Sequence, residues 1–444
     1  MRPLGEIRRF GAPFGQTQRR PAAVASLPAA PTGVTITGEA AGVVETAVLS
    51  ITWTRSAGDP ADGSYLYTVQ VATDAGFTAL IVNQSGINAA SLTTSVLTQK
   101  GTLYVRVWAS AGGLDSAAAA HSFLHRLFKL TATTTGAGQT VTLQRITPTG
   151  TSTTVYWGDG TSDTIAAGST GVKTHVYAAA GAYTVVVNRP SILTSLHLQV
   201  LPNVTVGAGE IGGLNALTSL TLNNLPNVTV GAGEIGGLNA LNTLHLQVLP
   251  NATVGAGEIG GLNALTYLYL NNLPNATVGA GEIGGLNALN TLYLQVLPNV
   301  TVGAGEIGGL NALTYLTLNN LPNATVGAGE IGGLNALTSL TLQVLPNLAV
   351  QTGLANLLRL VALVYENNLS NADQQSILSQ LYAAFPTRIN TGGTIDLLGG
   401  GNAVSGGILQ AACPPTTTRE YGFELTNDSC SVSLKHWASV TLQN

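Results

Sequence analysis

Charged side chains account for only 9% of the 444 residues, and the formal net charge is −4. That balance supplies neither a basic surface for nucleic acid nor a field able to steer an acidic substrate. No run of about 18 apolar residues occurs, so no segment is suited to cross a membrane as a helix. Only two cysteines are present, Cys413 and Cys430. They can pair or remain free thiols, and two residues are too few to define a disulfide framework or a redox compartment. The motifs of zinc peptidases (His-Glu-x-x-His) and serine hydrolases (Gly-x-Ser-x-Gly) are missing, as are clustered acidic pairs, so the expectation is a protein without enzymatic activity. No cofactor is expected, with calcium as the one candidate ion.

What the chain has is glycine, 54 residues of it, together with 45% hydrophobic content. This combination points to real cores joined by many tight turns, and to β-structure rather than salt-bridged helices. Residues 1–31 are different. They carry Arg2, Arg8, Arg9, Arg19 and Arg20, then a Pro- and Ala-rich stretch, and read as a basic arm and linker. They contain no apolar core of a secretory signal, so a chain starting here is not expected to be exported by that route.

Residues 32–126 hold short alternating runs, VLSITWT, YLYTVQVA and TLYVRVWAS, bounded by turn residues, which predicts a β-sandwich. The PTGVTITG opening, Trp53 on an early strand and Tyr104 in LYVRVWA make this stretch similar to a fibronectin type III domain. That resemblance implies that Trp53 is a core residue and Tyr104 a corner residue. Residues 127–190 continue the pattern. VYWGDGTSDT followed by THVYAAAGAYTVVV resembles a PKD-type sandwich, with Trp157-Gly158-Asp159-Gly160 a shortened form of the family's Trp-x-x-Gly-Asp-Gly turn and with His175 and Tyr177 in place. Asp159-Gly160 is first a hairpin signal, and Asp159 with Asp163 are too few carboxylates to define a calcium site.

From Leu193 the chain repeats every 24 residues through six full copies to Ala336, and a seventh degenerates after Leu348. The L-x-x-L-x-L spacing within a fixed short period resembles the leucine-rich repeat, in its bacterial surface-antigen version. In each copy Leu217, Leu220, Leu222, Leu225, Val230, Ile235 and Leu238, or their equivalents, are expected to point inward. One coil alone cannot bury that face, whereas stacked coils share a continuous core and a parallel sheet. The solenoid is expected over 191–402, with a capping helix at 370–385, a final coil strand at 394–402 and a β-cap at 403–444. The fold class is therefore mainly β and multidomain: two β-sandwiches followed by a leucine-rich-repeat solenoid with a C-terminal helix and β-cap.

Three features of the repeat bear on function. Gly207-Ala208-Gly209-Glu210-Ile211-Gly212 and its copies satisfy G-x-G-x-x-G, but no helix or βαβ unit can follow in the space available, so a turn is the reading. Between Arg189 and Arg359 the only charged side chains are Glu210, Glu234, Glu258, Glu282, Glu306 and Glu330. Stacking would align them in an acidic column in which neighbours ~5 Å apart repel by just under 1 kcal/mol in water. That column is either a solvated row or a site for cations or a basic partner. Variation between copies, finally, falls almost wholly on the outward strand positions. There Tyr267, Tyr269, Tyr293 and Tyr315 are expected to form an aromatic patch, with His197, His245, Asn271 and Gln295 among the polar positions of a candidate recognition face. His197 and His245 lie two coils apart, too far to share a metal. Each copied repeat also holds Asn-x-Thr, read as a turn residue rather than as a glycosylation acceptor.

This combination of modules resembles accessory virion proteins of phages and surface adhesins of bacteria. The expectation is a virion-attached fibre, decoration or tail-associated protein, present in several copies. Arg2, Arg8, Arg9, Arg19 and Arg20 would anchor it to other virion proteins, and the solenoid would meet a host surface protein or glycan. A bacterial cell-surface adhesin and a pure spacer are the alternatives, and neither nucleic acid nor membrane is an expected partner.

Overall fold

The computed structural model describes residues 27–360, 362–366, 376, 377, 380, 394–398, 424–425, 432–433 and 439–443. The chain divides into two units, one comprising residues up to 124 except 43–47 and 98–100, the other comprising the remainder.

In the first unit, Thr32–Ile36, Val48–Thr54 and Ser91–Val96 form one antiparallel sheet. Leu80–Ile87, Tyr65–Ala72, Gly101–Ala111 and Ala119–His125 follow one another in a second. The period of two in VLSITWT puts Leu49, Ile51 and Trp53 inside, as expected for a strand with one buried face. Trp53 packs on Tyr67 with ring centroids 5.4 Å apart. The same alternation overturns the corner role expected of Tyr104. Leu103, Val105, Val107 and Ala109 take the buried face of their strand, so Tyr104 stands on the opposite one. The buried tyrosine is Tyr67, whose hydroxyl accepts the Ser56 N–H at 2.8 Å and donates to Asp59 at 2.7 Å.

The second unit joins a sandwich and the solenoid in a single core. Ser162–Ile165, Thr153–Tyr156, Gly181–Val187 and Phe128–Thr134 make a sheet whose last strand is Val204–Thr205, from the first coil. Arg145–Pro148 pairs antiparallel with Leu193–Gln199, Ile146 opposite Leu196, and so opens the solenoid sheet. One hydrophobic cluster runs from Phe128 and Trp157 through the coils to Leu363 and Ile377. A domain boundary between 190 and 191 therefore does not exist in the packing. An end coil would otherwise expose its leucines and an unpaired strand, and these sandwich strands cover both.

The solenoid has about seven turns. Leu193–Gln199, Ser219–Asn223, Thr243–Gln247, Tyr267–Asn271, Thr291–Gln295, Tyr315–Asn319 and Ser339–Gln343 pair in parallel, each residue beside its equivalent 24 positions on. Every aliphatic position expected inside is buried in every full copy. Outside the strands, each coil is tied to its predecessor twice more. The Asn227 side chain donates to the Pro202 carbonyl at 2.7 Å, and this contact recurs at Asn251, Asn275, Asn299 and Asn323. The Thr229 N–H donates to the Val206 carbonyl at 2.9 Å, again with equivalents along the stack.

The sheet continues through Ala362–Glu366, Thr394–Leu398 and Ser439–Gln443, all parallel, to eleven strands among the described residues. The C-terminal strand thus extends the solenoid sheet, where a separate β-cap was expected to cover its end. Residues 376, 377 and 380 are helical, and the rest of the expected capping helix at 370–385 lies outside the described residues. No helix among the described residues is long and apolar enough to cross a membrane.

Candidate functional site

The exposed face of the solenoid sheet is a lattice of three columns set by strand alternation and register. In each coil two leucines point inward, and the three residues around them point outward. The first column reads Ser195, Ser219, Thr243, Tyr267, Thr291, Tyr315 and Ser339. The second reads His197, Thr221, His245, Tyr269, Tyr293, Thr317 and Thr341, and the third alternates Gln199 and Asn223 through Gln343.

Three of the four expected tyrosines form an aromatic strip, and a histidine joins them. Tyr269 and Tyr293 stack at 4.3 Å with planes 8° apart, Tyr267 lies parallel to Tyr269 at 6.5 Å, and His245 packs on the other face of the run at 4.2 Å from Tyr269. Tyr315 does not belong to the patch. It stands in the first column beside Thr291 and Ser339, 55% exposed, and makes no ring contact among the described residues. Because the rings stack along the coil axis, much of their π-surface is occupied, and hydroxyls and ring edges are what they present. These tips pair with the third column. Asn271 donates to the Tyr269 hydroxyl at 3.3 Å, the Tyr293 hydroxyl donates to Gln295, and His245 Nε2 meets Gln247 Oε1 at 3.2 Å. His197 Nε2 lies 3.0 Å from the Ser219 hydroxyl.

Burial lowers the pKa of both histidines; Arg145 and His245 add to the effect at His197, and the Gln247 hydrogen bond opposes it at His245. Both are therefore neutral at pH 7. Burial and the neighbouring phenols raise the pKa of Tyr267 and Tyr293.

The acidic column is not a solvated row, because its four inner carboxylates are buried and hydrogen-bonded to the backbone. Glu234, Glu258, Glu282 and Glu306 are each 8% exposed or less. Oε1 of Glu258 accepts the Gly255 N–H of its own coil at 2.7 Å and the Gly233 N–H of the preceding coil at 2.8 Å, while Oε2 accepts the Ile235 N–H at 3.0 Å. Glu234, Glu282 and Glu306 repeat this triad. Backbone donors, rather than lysines or cations, compensate the negative charge. The GAGEIG stretch is thus a cradle for a neighbouring coil's carboxylate. A Cβ on Gly303 would lie 2.7 Å from Glu306 Oε1, and one on Gly236 would lie 3.2 Å from the Glu258 Cα.

Both ends of the ladder are substituted. Glu210 meets Lys100 Nζ at 3.0 Å and the Lys129 N–H at 2.9 Å, groups that stand where a preceding coil would be. Glu330 keeps its two glycine donors but leaves Oε2 buried without a hydrogen-bond partner. Beyond it Gln351, fully buried, accepts the Ile331 N–H at 3.3 Å and donates to the Gly327 and Ala349 carbonyls, and Gln380 accepts the Leu354 N–H at 3.1 Å. Sequence reasoning missed Lys100, Gln351 and Gln380, because none shares the repeat's spacing.

The carboxylates considered for calcium have separate partners. Asp159 accepts the Thr161 N–H and hydroxyl and lies 2.7 Å from His175 Nε2, whereas Asp163 accepts the Trp157 indole N–H at 2.9 Å. Burial opposes ionisation of Asp159, but the hydrogen bonds from Thr161 and His175 outweigh it and lower the pKa. His175 in turn stacks on Trp157 at 4.8 Å and meets the edge of Tyr177 at 4.6 Å. No group of three His, Cys, Asp or Glu among the described residues is placed to hold a metal ion. The anchor residues Arg2, Arg8, Arg9, Arg19 and Arg20, and both cysteines, lie outside the described residues.

One column adjoining the face was not anticipated. The residue after each third-column amide has a positive φ: Val200, Val248, Val296 and Val344 lie at 50–52° and Asn224, Asn272 and Asn320 at 52–53°. Asparagine tolerates this left-handed region, whereas a β-branched side chain there is strained. The signal was present in the sequence as a strict alternation of Gln-Val with Asn-Asn, which doubles the 24-residue period.

No protein-family model matches this chain, and no curated protein matches it in sequence. Among solved structures it is similar to a leucine-rich-repeat protein of Leptospira interrogans, at 19% identity over 47% of this chain and 67% of that one, with a TM-score of 0.27. It is also similar to a plant ice-binding protein, at 17% identity over 57% and 82% of the two chains with a TM-score of 0.29. A third similarity is to the chicken interferon gamma receptor alpha chain, at 14% identity over 33% and 81% with a TM-score of 0.18.

Proposed function

We propose that this protein is a non-enzymatic recognition protein whose binding element is the exposed face of the solenoid sheet. The observation that carries this reading is the location of variation. The buried leucines, the glutamate ladder and the turns are nearly identical from coil to coil, while Ser, Thr, Tyr and His exchange freely in the two outward columns. A scaffold copied with its interior held constant and one exposed strip altered is what a surface tuned for binding requires. Tyrosine, amide and hydroxyl tips supply large contact area and hydrogen bonds at low entropic cost.

The setting we propose is a phage virion, in which the protein is a fibre, decoration or tail-associated component present in several copies. The basic arm of residues 1–31 docks on other virion proteins, and the solenoid meets the host surface. Display on a bacterial cell surface is the other setting compatible with the same face. Within this proposal the first sandwich is a fibronectin type III-like spacer, supported by the buried Trp53. The second is PKD-like, supported by the Trp157, His175 and Tyr177 cluster.

Replacing Tyr267, Tyr269 and Tyr293 together by Ser, which coils one, two and seven carry in the first column, tests the recognition reading. Adsorption to the target surface is expected to fall while the unfolding midpoint stays close to wild type. Unchanged adsorption by a folded variant would leave the solenoid as a spacer. Deletion of residues 1–31 is expected to abolish particle association and leave a soluble folded protein, and continued incorporation would overturn the anchor.

A further inference from the structure

We infer that the ligand of this face is a neutral, extended β-linked polysaccharide lying along the coil axis, one sugar per coil; the inference rests on the recognition reading above. Three observations carry it.

The first is charge. All fixed charge between Arg189 and Arg359 resides in the six glutamates, whose carboxylates bond to the backbone ladder and, at Glu210, to Lys100, with Oε2 of Glu330 buried rather than on the face. The face histidines are neutral at pH 7. Apart from Arg145, exposed on the strand beside His197 at one end of the sheet, a uronate polymer, a nucleic acid or a typical charged protein surface would find no counter-charge along the coils and would lose hydration on docking. A neutral glycan, whose hydroxyls both donate and accept, matches the phenol, amide and hydroxyl tips.

The second is period. The third column and the column beside it alternate Gln-Val with Asn-Asn, so the surface repeats chemically every two coils, about 9.6 Å at the spacing of parallel strands. In an extended β-linked polysaccharide successive sugars turn over, so apolar C–H faces and hydroxyl edges also alternate with a two-unit period. An extended peptide alternates every two residues, about 6.7 Å, and does not stay in step. A polyproline-type helix, with a repeat of about 9.3 Å, needs open aromatic faces to receive its rings, and here Tyr269 and Tyr293 are stacked on one another.

The third is strain. Val200, Val296 and Val344 are 55%, 36% and 58% exposed, and Val248 is half-buried. All four hold a backbone conformation that the asparagines of the intervening coils adopt more readily. Exposed, β-branched side chains kept at a strained position in every second coil mark a functional contact. Their isopropyl groups are what an alternate sugar's apolar face would cover.

The test uses the full chain in affinity electrophoresis and titration calorimetry, with cellohexaose, chitohexaose and a soluble β-mannan as probes. Maltohexaose, a β-linked polyuronate and poly-L-proline serve as comparators. A variant carrying Val200→Asn, Val248→Asn, Val296→Asn and Val344→Asn is measured beside the wild type. Binding to a neutral β-linked probe is expected. The dissociation constant should rise about tenfold or more in the variant, since losing the burial of even two methyl-sized groups suffices, and the variant's Tm should rise. Binding left unchanged by the four asparagines, or tighter binding of the polyuronate or poly-L-proline, overturns the inference. Absence of binding to every neutral β-linked probe, with surface adsorption still sensitive to the tyrosine replacements, overturns the glycan while leaving the recognition face standing. Adsorption insensitive to the tyrosines removes both.

Discussion

Replacing Glu258 by Ala decides between two opposite views of the glutamate column. If the column were a solvated row of like charges, removing one member would relieve repulsion from two neighbours. At ~5 Å and in water that relief is worth about 0.8 kcal/mol per neighbour, so the protein should gain about 1.5 kcal/mol. The structure requires the opposite sign. Glu258 accepts three backbone N–H groups, of which that of Ile235 belongs to a fully buried residue. A hydrogen bond to a charged group contributes about 1.5–3 kcal/mol, and a buried donor left unpaired costs about 1–3 kcal/mol. Water can substitute at the two less buried glycines, so the loss is taken as about 4–5 kcal/mol. Subtracting the relieved repulsion leaves a net destabilisation of about 3 kcal/mol. Glu258→Gln keeps one oxygen for both glycine donors, and Gln351 demonstrates that an amide can occupy such a place. The introduced amide nitrogen would face the Ile235 N–H, so this change should cost about 1–2 kcal/mol, less than Glu258→Ala. Urea unfolding followed by circular dichroism gives both values, and amide exchange at Ile235 locates the effect, since a solenoid loosens coil by coil. A Glu258→Ala protein as stable as wild type, or more so, would refute the ladder.

Two further predictions concern other parts of the unit. Gly236→Ala should destabilise by about 1–3 kcal/mol, because its Cβ would press on the Glu258 backbone. Gly237→Ala should be neutral or slightly stabilising, because its Cβ meets nothing within 4 Å; equal midpoints for the two variants would contradict the close coil contact. Acid sensitivity should reside partly in histidine. Burial lowers the pKa of His125, His197 and His245 below the ordinary 6.5, so the unfolded chain binds protons first as pH falls. Their stabilising contribution is complete above about pH 6.5 and is lost as pH drops through the depressed folded values. His197→Thr with His245→Thr, the residue coil two carries at that position, should flatten the fall in Tm below pH 6.5, leaving the share due to His125. An unaltered pH profile would show that the face histidines are not held neutral.

The repeat period, the buried leucines and the outward columns were legible because each depends on side-chain type at a fixed spacing. The glutamates were misread because their partners are backbone donors from another coil. Residue identity fixes where a carboxylate lies along the chain, not which N–H groups a neighbouring coil turns toward it. The missing lysines and arginines were nonetheless the available signal: a stack that aligns like charges with no counter-ion must neutralise them with its own amides. Tyr315 was misplaced for a simpler reason. It lies in the first column between Thr291 and Ser339, with Thr317 two positions on in its own strand, so no ring stands at a neighbouring position for it to stack on. The join between sandwich and solenoid was invisible because Arg145–Pro148 and Phe128–Thr134 bear no trace of the repeat they cover. These features have a common consequence for the face. Drawing the repeat glutamates into the backbone ladder keeps their charge off the exposed strip, and placing most coil-to-coil bonds on Glu, Asn, Thr and the strands leaves the outward columns with little structural duty beyond the His197–Ser219 bond and the aromatic stack. Changes of side chain there can alter what is bound at little cost in stability.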